Sequence, residues 1–140
     1  MYRKILLAYD GSEGGKKALV AGINLAKVHQ AKLWVLAVQE RLPRFSATID
    51  EVQEEKALAN EQYGKLLQEA QGRAQAAGVE LKTMMRPGHP SQTIIEVARE
   101  GNFDLVLVGH SGLSGVWAAF LGTTAEKVSR HAPCSVLIVR

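Results

Sequence analysis

The segment Lys4-Ile5-Leu6-Leu7-Ala8-Tyr9-Asp10-Gly11-Ser12 sets a short, uninterrupted apolar run directly against a turn. A run with no polar face reads as a strand buried on both sides, ended here by Asp10-Gly11. From Glu13 to His29 the periodicity changes: Ala18, Leu19, Ile23, Leu25 and Ala26 fall on one helical stripe, with Ser12 placed as its N-cap. Lys32 to Gln39, KLWVLAVQ, is again short and apolar, with β-branched and aromatic residues, and predicts a second strand. Strand, helix and strand in this order open a parallel α/β sheet, because parallel neighbours need a crossover connection.

The rest of the chain continues the alternation. Arg41 to Ala47 contains Pro43 and has no periodicity, so it is expected to be an exposed connection able to act as a flap. Ile49, Val52, Leu58, Ala59, Tyr63, Leu66, Leu67, Ala70 and Ala74 keep helical spacing up to a stop at Gly78, and the run from Asp50 to Lys56 supplies a solvated face. Val79 to Met85 alternates only partly and predicts an edge strand. Arg86 to Pro90 reads as a turn, and Ile94, Ile95, Val97 and Ala98 as one face of a short helix ending by Gly101. Asp104 to Val108 is a second fully apolar strand. A glycine-rich loop follows, then a helical stretch from Trp117 to His131 and a final buried strand, Ser135 to Val139. The order βαβαβαβαβ implies a parallel sheet covered on both faces by right-handed crossovers.

Composition narrows the partners. A chain of 140 residues fits a single domain, and 46% hydrophobic with 22% charged residues excludes disordered and fibrous classes. The net charge is +3, from 17 basic and 14 acidic residues that are interspersed, so no nucleic-acid partner is expected. Cys134 is the single cysteine and is expected to be an inert apolar residue. The apolar stretch before Asp10 is too short for a signal peptide, and no run reaches the roughly 20 residues of a membrane span. A cytoplasmic protein without a membrane partner is the expectation.

In a doubly wound sheet, ligands bind beyond the carboxyl ends of the strands, where the winding reverses. Two strand ends carry unusual loops: Tyr9-Asp10-Gly11-Ser12, and the stretch from Gly109 through Gly112 and Gly115 to Gly122-Thr123-Thr124. If the first and fourth strands are neighbours, both loops open onto one crevice. Gly122-Thr123-Thr124 ahead of a helix offers unpaired amides, the positive end of the helix dipole and two hydroxyls, while Gly109 and Gly112 permit close backbone approach. The same residues serve equally as turn and cap residues with no ligand. No Gly-Lys-Ser/Thr triplet occurs, and Gly109 does not begin a GxGxxG. His29, His89, His110 and His131 lack metal-ligand spacing; only His110 is expected in the crevice, and Arg86 is expected on an exposed turn.

The pattern Gly109-x2-Gly112-x9-Gly122-Thr123, with Tyr9-Asp10-Gly11-Ser12 and the closing HAPCSVLIV from His131 to Val139, resembles the nucleotide-binding motif and flanking signatures of the universal stress protein family. The resemblance covers essentially the whole chain. It implies one nucleotide-binding domain over residues 1–140, with an α/β, doubly wound, five-stranded parallel sheet of order 3-2-1-4-5 and helices on both faces. It also implies ATP as ligand, with ADP or AMP as alternatives, a homodimer paired through Ser135 to Val139, a regulatory role in stress response and no agreed catalytic residue.

Carried over by position, Gly109, Gly112, Gly122 and Thr123 match the motif, Val108 precedes it, and His110, Ser111 and Thr124 would meet phosphates or ribose. The Val38 backbone would read adenine. Asp10 would stand at the entrance beside the nucleoside or a Mg or Mn ion carried by the nucleotide; its alternative role is an Asx-turn capping the first helix. Relatives that look like strong ATP binders often carry Lys or Arg where this chain has Leu113 to Leu121 with none, and a charge-assisted contact is about twice as strong as a neutral one. Fewer phosphates, or help from Lys127, Arg130 or Arg44, would answer that loss. Trp117 and Phe120 are expected to pack or form an interface. Two alternatives stay open. One is a weak ATP hydrolase or phosphotransferase using Asp10 and His110, which lacks an arginine finger, a Walker lysine and a second acid. The other is a nucleotide-free dimeric module binding an unknown protein through Trp117.

Overall fold

Ile5, Leu6 and Leu7 are completely removed from solvent because β1 (Lys4–Ala8) is the middle strand of the sheet. The structure, a computed structural model, describes residues 1–40, 48–111 and 121–140 of the chain. Along it follow α1 (Glu13–His29), β2 (Lys32–Gln39), α2 (Ile49–Ala76), β3 (Leu81–Pro87), α3 (Pro90–Glu100), β4 (Leu105–Gly109), α4 (Thr123–His131) and β5 (Ser135–Val139). All neighbours are parallel in the order β3-β2-β1-β4-β5, with Ile5 level with Leu33 on one side and Leu105 on the other. The five-stranded doubly wound α/β architecture is therefore as expected, and the winding reverses between β1 and β4.

The two-residue repeat of the strands sorts the core into two layers. Ile5 and Leu7 point to the face covered by Ala18, Leu19 and Ile23 of α1 and by Leu67, Ala70 and Ala74 of α2. Leu6, Leu36 and Val106 point to the other face, against Ile94 and Val97 of α3 and Ala125 and Val128 of α4. Each such aliphatic side chain contributes about 1.5–3 kcal/mol on full burial, so the sheet is anchored from both sides.

Several boundaries and burials differ from expectation. The turn foreseen at Arg86 to Pro90 is divided between strand and helix. Pro87 ends β3, an edge strand where a missing amide is tolerated, and Pro90 begins α3, where a helix needs no amide. The helix foreseen from Trp117 starts at Thr123, because Gly122 is an extended N-cap with φ −62° and ψ 151°; Trp117 and Phe120 lie outside the described residues. The expected flap, Arg41 to Ala47, also lies outside them. The long apolar series on α2 is buried only at Leu67, Ala70 and Ala74, while Ile49, Val52 and Leu58 face solvent. A 28-residue helix runs about 42 Å, whereas an eight-residue strand runs about 26 Å, so its first half has no sheet to cover. That half is held by a capping box between Thr48 and Glu51. Finally, β5 is half-exposed rather than buried, since it is the sheet's other edge.

Candidate functional site

The cleft is built where the carboxyl ends of β1 and β4 lie side by side. Beyond β1, the Oδ1 of Asp10 accepts from the Ser12 amide at 2.9 Å, and the Ser12 hydroxyl oxygen accepts from the Gly15 amide at 3.0 Å. The first bond is an Asx-turn and the second caps α1, so the Asp10 alternative foreseen from sequence is present. Gly11, at φ +80°, takes the left-handed conformation this tight turn requires. Asp10 also lines the cleft.

Beyond β4, Gly109 owes its identity to close packing. A Cβ there would lie 2.6 Å from the Gly14 carbonyl carbon and 2.8 Å from its oxygen, at the first turn of α1. The next residue is pinned: the His110 amide donates to the Val139 carbonyl and its own carbonyl accepts from the Gly122 amide, both at 2.8 Å. These two N–H groups are therefore spent within the protein. The first bond inside α4 is donated by Glu126 to Gly122. The amides of Thr123, Thr124 and Ala125 consequently precede the helix ladder, no side chain caps them, and they have no acceptor among the described residues. They line the cleft with the positive end of α4 behind them.

The cleft measures about 370 Å³. Asp10, Val38, Val108 and Gly109 line it from the strand ends; His110, Ser111, Gly122, Thr123 and Thr124 line it from the loop and helix after β4. Gly112 lies outside the described residues. The opposite wall went unforeseen. It comprises His89, Pro90, Ser91 and Ile94 of the α3 entry and Tyr63 of α2. His110 is therefore not the one histidine of the crevice, and His89 Nδ1 lies 3.2 Å from the Ser91 hydroxyl. A signal for His89 existed, because in this winding every strand-to-helix loop, Gly88-His89-Pro90 included, lies at the same end of the sheet. Tyr63 had no such signal; it reaches the cleft only because α2 packs beside β2.

Electrostatically, the described lining holds two carboxylates, Asp10 and Glu40, two imidazoles, and no lysine or arginine. Arg130 pairs with Glu126 at 3.0 Å, and neither it nor Lys127 lines the cleft; Arg44 lies outside the described residues. Arg86 is exposed on β3 rather than in a turn. No group of three His, Cys, Asp or Glu among the described residues is arranged to hold a metal, and no described helix is long and apolar enough to cross a membrane. Tyr9 is 2% exposed, with its hydroxyl buried and without a hydrogen-bond partner among the described residues; burial, then the nearby Glu69 charge, push its phenol up. Burial likewise pushes the half-buried Cys134 thiol up, away from the cleft.

Chemically, the cleft combines an amide-rich end at α4 with an apolar end formed by Leu36, Val38 and Ile94, which suits an elongated ligand carrying an anion at one end. Among known proteins, a family model described as universal stress protein family matches residues 1–140. Universal stress protein YxiE of Bacillus subtilis is 36% identical over 151 aligned residues, covering 100% of both chains. The structure of universal stress protein UspA from Lactobacillus plantarum superposes with a TM-score of 0.88 at 29% identity, over 99% of this chain and 98% of that one. A universal stress protein solved in complex with cAMP gives 0.77 at 28% identity, over 99% and 97%. Matched along its whole length in both sequence and fold, the chain belongs to the universal stress protein family.

Proposed function

We propose that this protein is a nucleotide-binding regulator of the stress response, which binds an adenine nucleotide, ATP or one with fewer phosphates, in the cleft between β1 and β4. The observation that carries this is the row of amides at Thr123, Thr124 and Ala125, which have no acceptor among the described residues and belong to the lining of the same cleft as Val38 and Asp10. Phosphate oxygens are the natural acceptors for such a row, and the apolar end suits a base. The relative solved with cAMP supports the same ligand class. On this proposal Thr123 and Thr124 add hydroxyls to the phosphate end, Ser111 and His110 border the ribose or phosphates, and Gly112 completes the loop. The Val38 backbone reads the base edge.

Asp10 fits a Mg or Mn ion brought by the nucleotide, since Ser12 engages only its Oδ1. The described residues supply no further cluster of ligands there, so most of that ion's coordination would come from phosphate and water. With two carboxylates and no described cation along the lining, a bare triphosphate is disfavoured relative to AMP or to the metal-bound form. The cytoplasm is the compartment this role implies. Pairing of two copies through β5 belongs to the same proposal, supported by its half-exposed edge, where Leu137 is 39% exposed. A nucleotide signals only through a difference in affinity between loop states, so binding is the first quantity to measure.

Thr123→Pro provides the direct test. Position N1 of a helix tolerates proline, and Gly122 already has the extended ψ a following proline requires, so one free amide is deleted at little cost to folding. Isothermal titration with AMP, cAMP and ATP, with and without Mg, should give saturable heats that Thr123→Pro weakens about tenfold or more, while Thr123→Ala, which keeps the amide, weakens them less. Absence of heat and of thermal shift at millimolar nucleotide refutes the proposal.

A further inference from the structure

β3 is covered by α2 on one face, and on the opposite face α3 packs against β2. A groove of about 250 Å³ lies there. Its apolar part is Trp34 of β2, Met84 of β3 and Phe103, the two rings meeting edge to face at 6.2 Å between centroids. Its charge is one-sided. Lys4 and Arg86 line it, the Lys82 ammonium stands 5.1 Å from the Trp34 ring centre, and Glu100 is the one carboxylate in the described lining. Lys4 already donates to the Gly101 carbonyl at 2.6 Å and lies 4.7 Å from the Phe103 ring centre. Lys82 and Arg86 are exposed and make no ion pair among the described residues. Trp34 Nε1 is buried and has no hydrogen-bond partner among the described residues, so the indole meets the groove through its apolar ring. The groove shares no lining residue with the nucleotide cleft.

We propose that this groove is a second ligand site, independent of the nucleotide, for a small amphipathic monoanion such as a medium-chain carboxylate. The apolar body would lie on Trp34, Met84 and Phe103, and the head would be held by Lys82 and Arg86. The volume is below the roughly 300–1,000 Å³ of sites for drug-sized molecules, which selects a short-chain ligand over a folded partner. The cations select its sign, and the indole, ring and thioether select its apolar body.

The test uses the full chain with Trp117→Phe, which leaves Trp34 as the sole indole of the two in the sequence. Octanoate is titrated against Trp34 emission, with octylammonium as the equal-length probe of opposite charge. The expected result is a saturable change with octanoate only, unaffected by millimolar AMP. Lys82→Glu combined with Arg86→Glu should weaken it by about tenfold or more, at an unchanged circular dichroism spectrum. No saturable change, an equal response to octylammonium, displacement by AMP, or insensitivity to the double charge reversal would each overturn the proposal.

Discussion

Replacing Gly109 by alanine and Gly22 by alanine should move stability in opposite directions, although each adds one methyl group to the core around β4. At Gly109 the new Cβ falls 2.6 Å from the Gly14 carbonyl carbon, 2.8 Å from its oxygen and 3.0 Å from the Gly15 nitrogen. The shortest of these is roughly 0.8 Å inside the 3.4 Å at which ordinary contact begins, and every atom met is backbone. No side chain can swing aside; either the end of β4 or the first turn of α1, with its Ser12 cap, must retreat. Overpacking of this kind costs about 1–3 kcal/mol. At Gly22 the Cβ meets Leu107 Cδ2 and Leu33 Cδ1 at 3.7 Å and Leu7 Cδ2 at 3.9 Å, all ordinary contacts. The helix interior there gains about 1 kcal/mol of propensity on going from glycine to alanine. With a urea slope of about 1–3 kcal/mol per M, Gly109→Ala should lower the unfolding midpoint by about 1 M and Gly22→Ala should raise it by a few tenths of that. Both are measured at one fixed protein concentration, so that self-association does not enter the comparison. An unchanged or raised midpoint for Gly109→Ala would show that β4 and α1 are not locked together at the cleft, and the placement of the loop after β4 would fall with it.

Ser12→Ala removes the acceptor for the Gly15 amide and should cost about 1 kcal/mol, read as a lower urea midpoint; no change would mean that the Asp10 turn alone holds the start of α1. Tyr9→Phe deletes a buried hydroxyl that has no partner among the described residues, a group that costs about 1–3 kcal/mol when unsatisfied, so near neutral pH the variant should match or exceed the parent in stability. The tyrosine also imposes a pH dependence. Its folded value lies above the ordinary 10.0, so the unfolded chain loses the proton first, and parental stability falls as pH rises past 10.0 toward the folded value; the phenylalanine variant should lack that share of the fall in paired urea titrations. For Cys134, burial holds the thiol protonated, so its reaction with a disulfide reagent at mildly alkaline pH should be about tenfold or more slower in the folded than in the urea-unfolded protein, and equal rates would refute the burial.

Much of the architecture was legible because its signals are local. The apolar runs at β1, β2 and β4 have no polar face and can only be central strands; the stripe on α1 and the Ser12 cap belong to one short segment whose periodicity needs no distant partner. The glycine and threonine pattern after β4 pointed to the end of the sheet where the cleft lies, and Asp10, Val38, Val108, Gly109, His110, Ser111, Gly122, Thr123 and Thr124 do converge there.

What local pattern could not carry was the state of each polar group. Whether an amide in the loop after β4 is free depends on what the fold brings beside it: Val139 takes the His110 amide from the far edge of the chain, and His110 in turn takes that of Gly122, which leaves Thr123, Thr124 and Ala125 as the donors without an acceptor among the described residues. Tyr63 entered the cleft for the same reason, since every other lining residue is more than 20 positions from it in sequence. The sequence by itself determined the number and order of strands and helices and at which end of the sheet the cleft lies, because those follow from hydrophobic periodicity and the winding rule. Only the tertiary structure decided which hydrogen-bond donors remain unspent, which half of α2 is bare and where an apolar, positively charged groove opens, because each of those depends on contacts between segments that are remote along the chain.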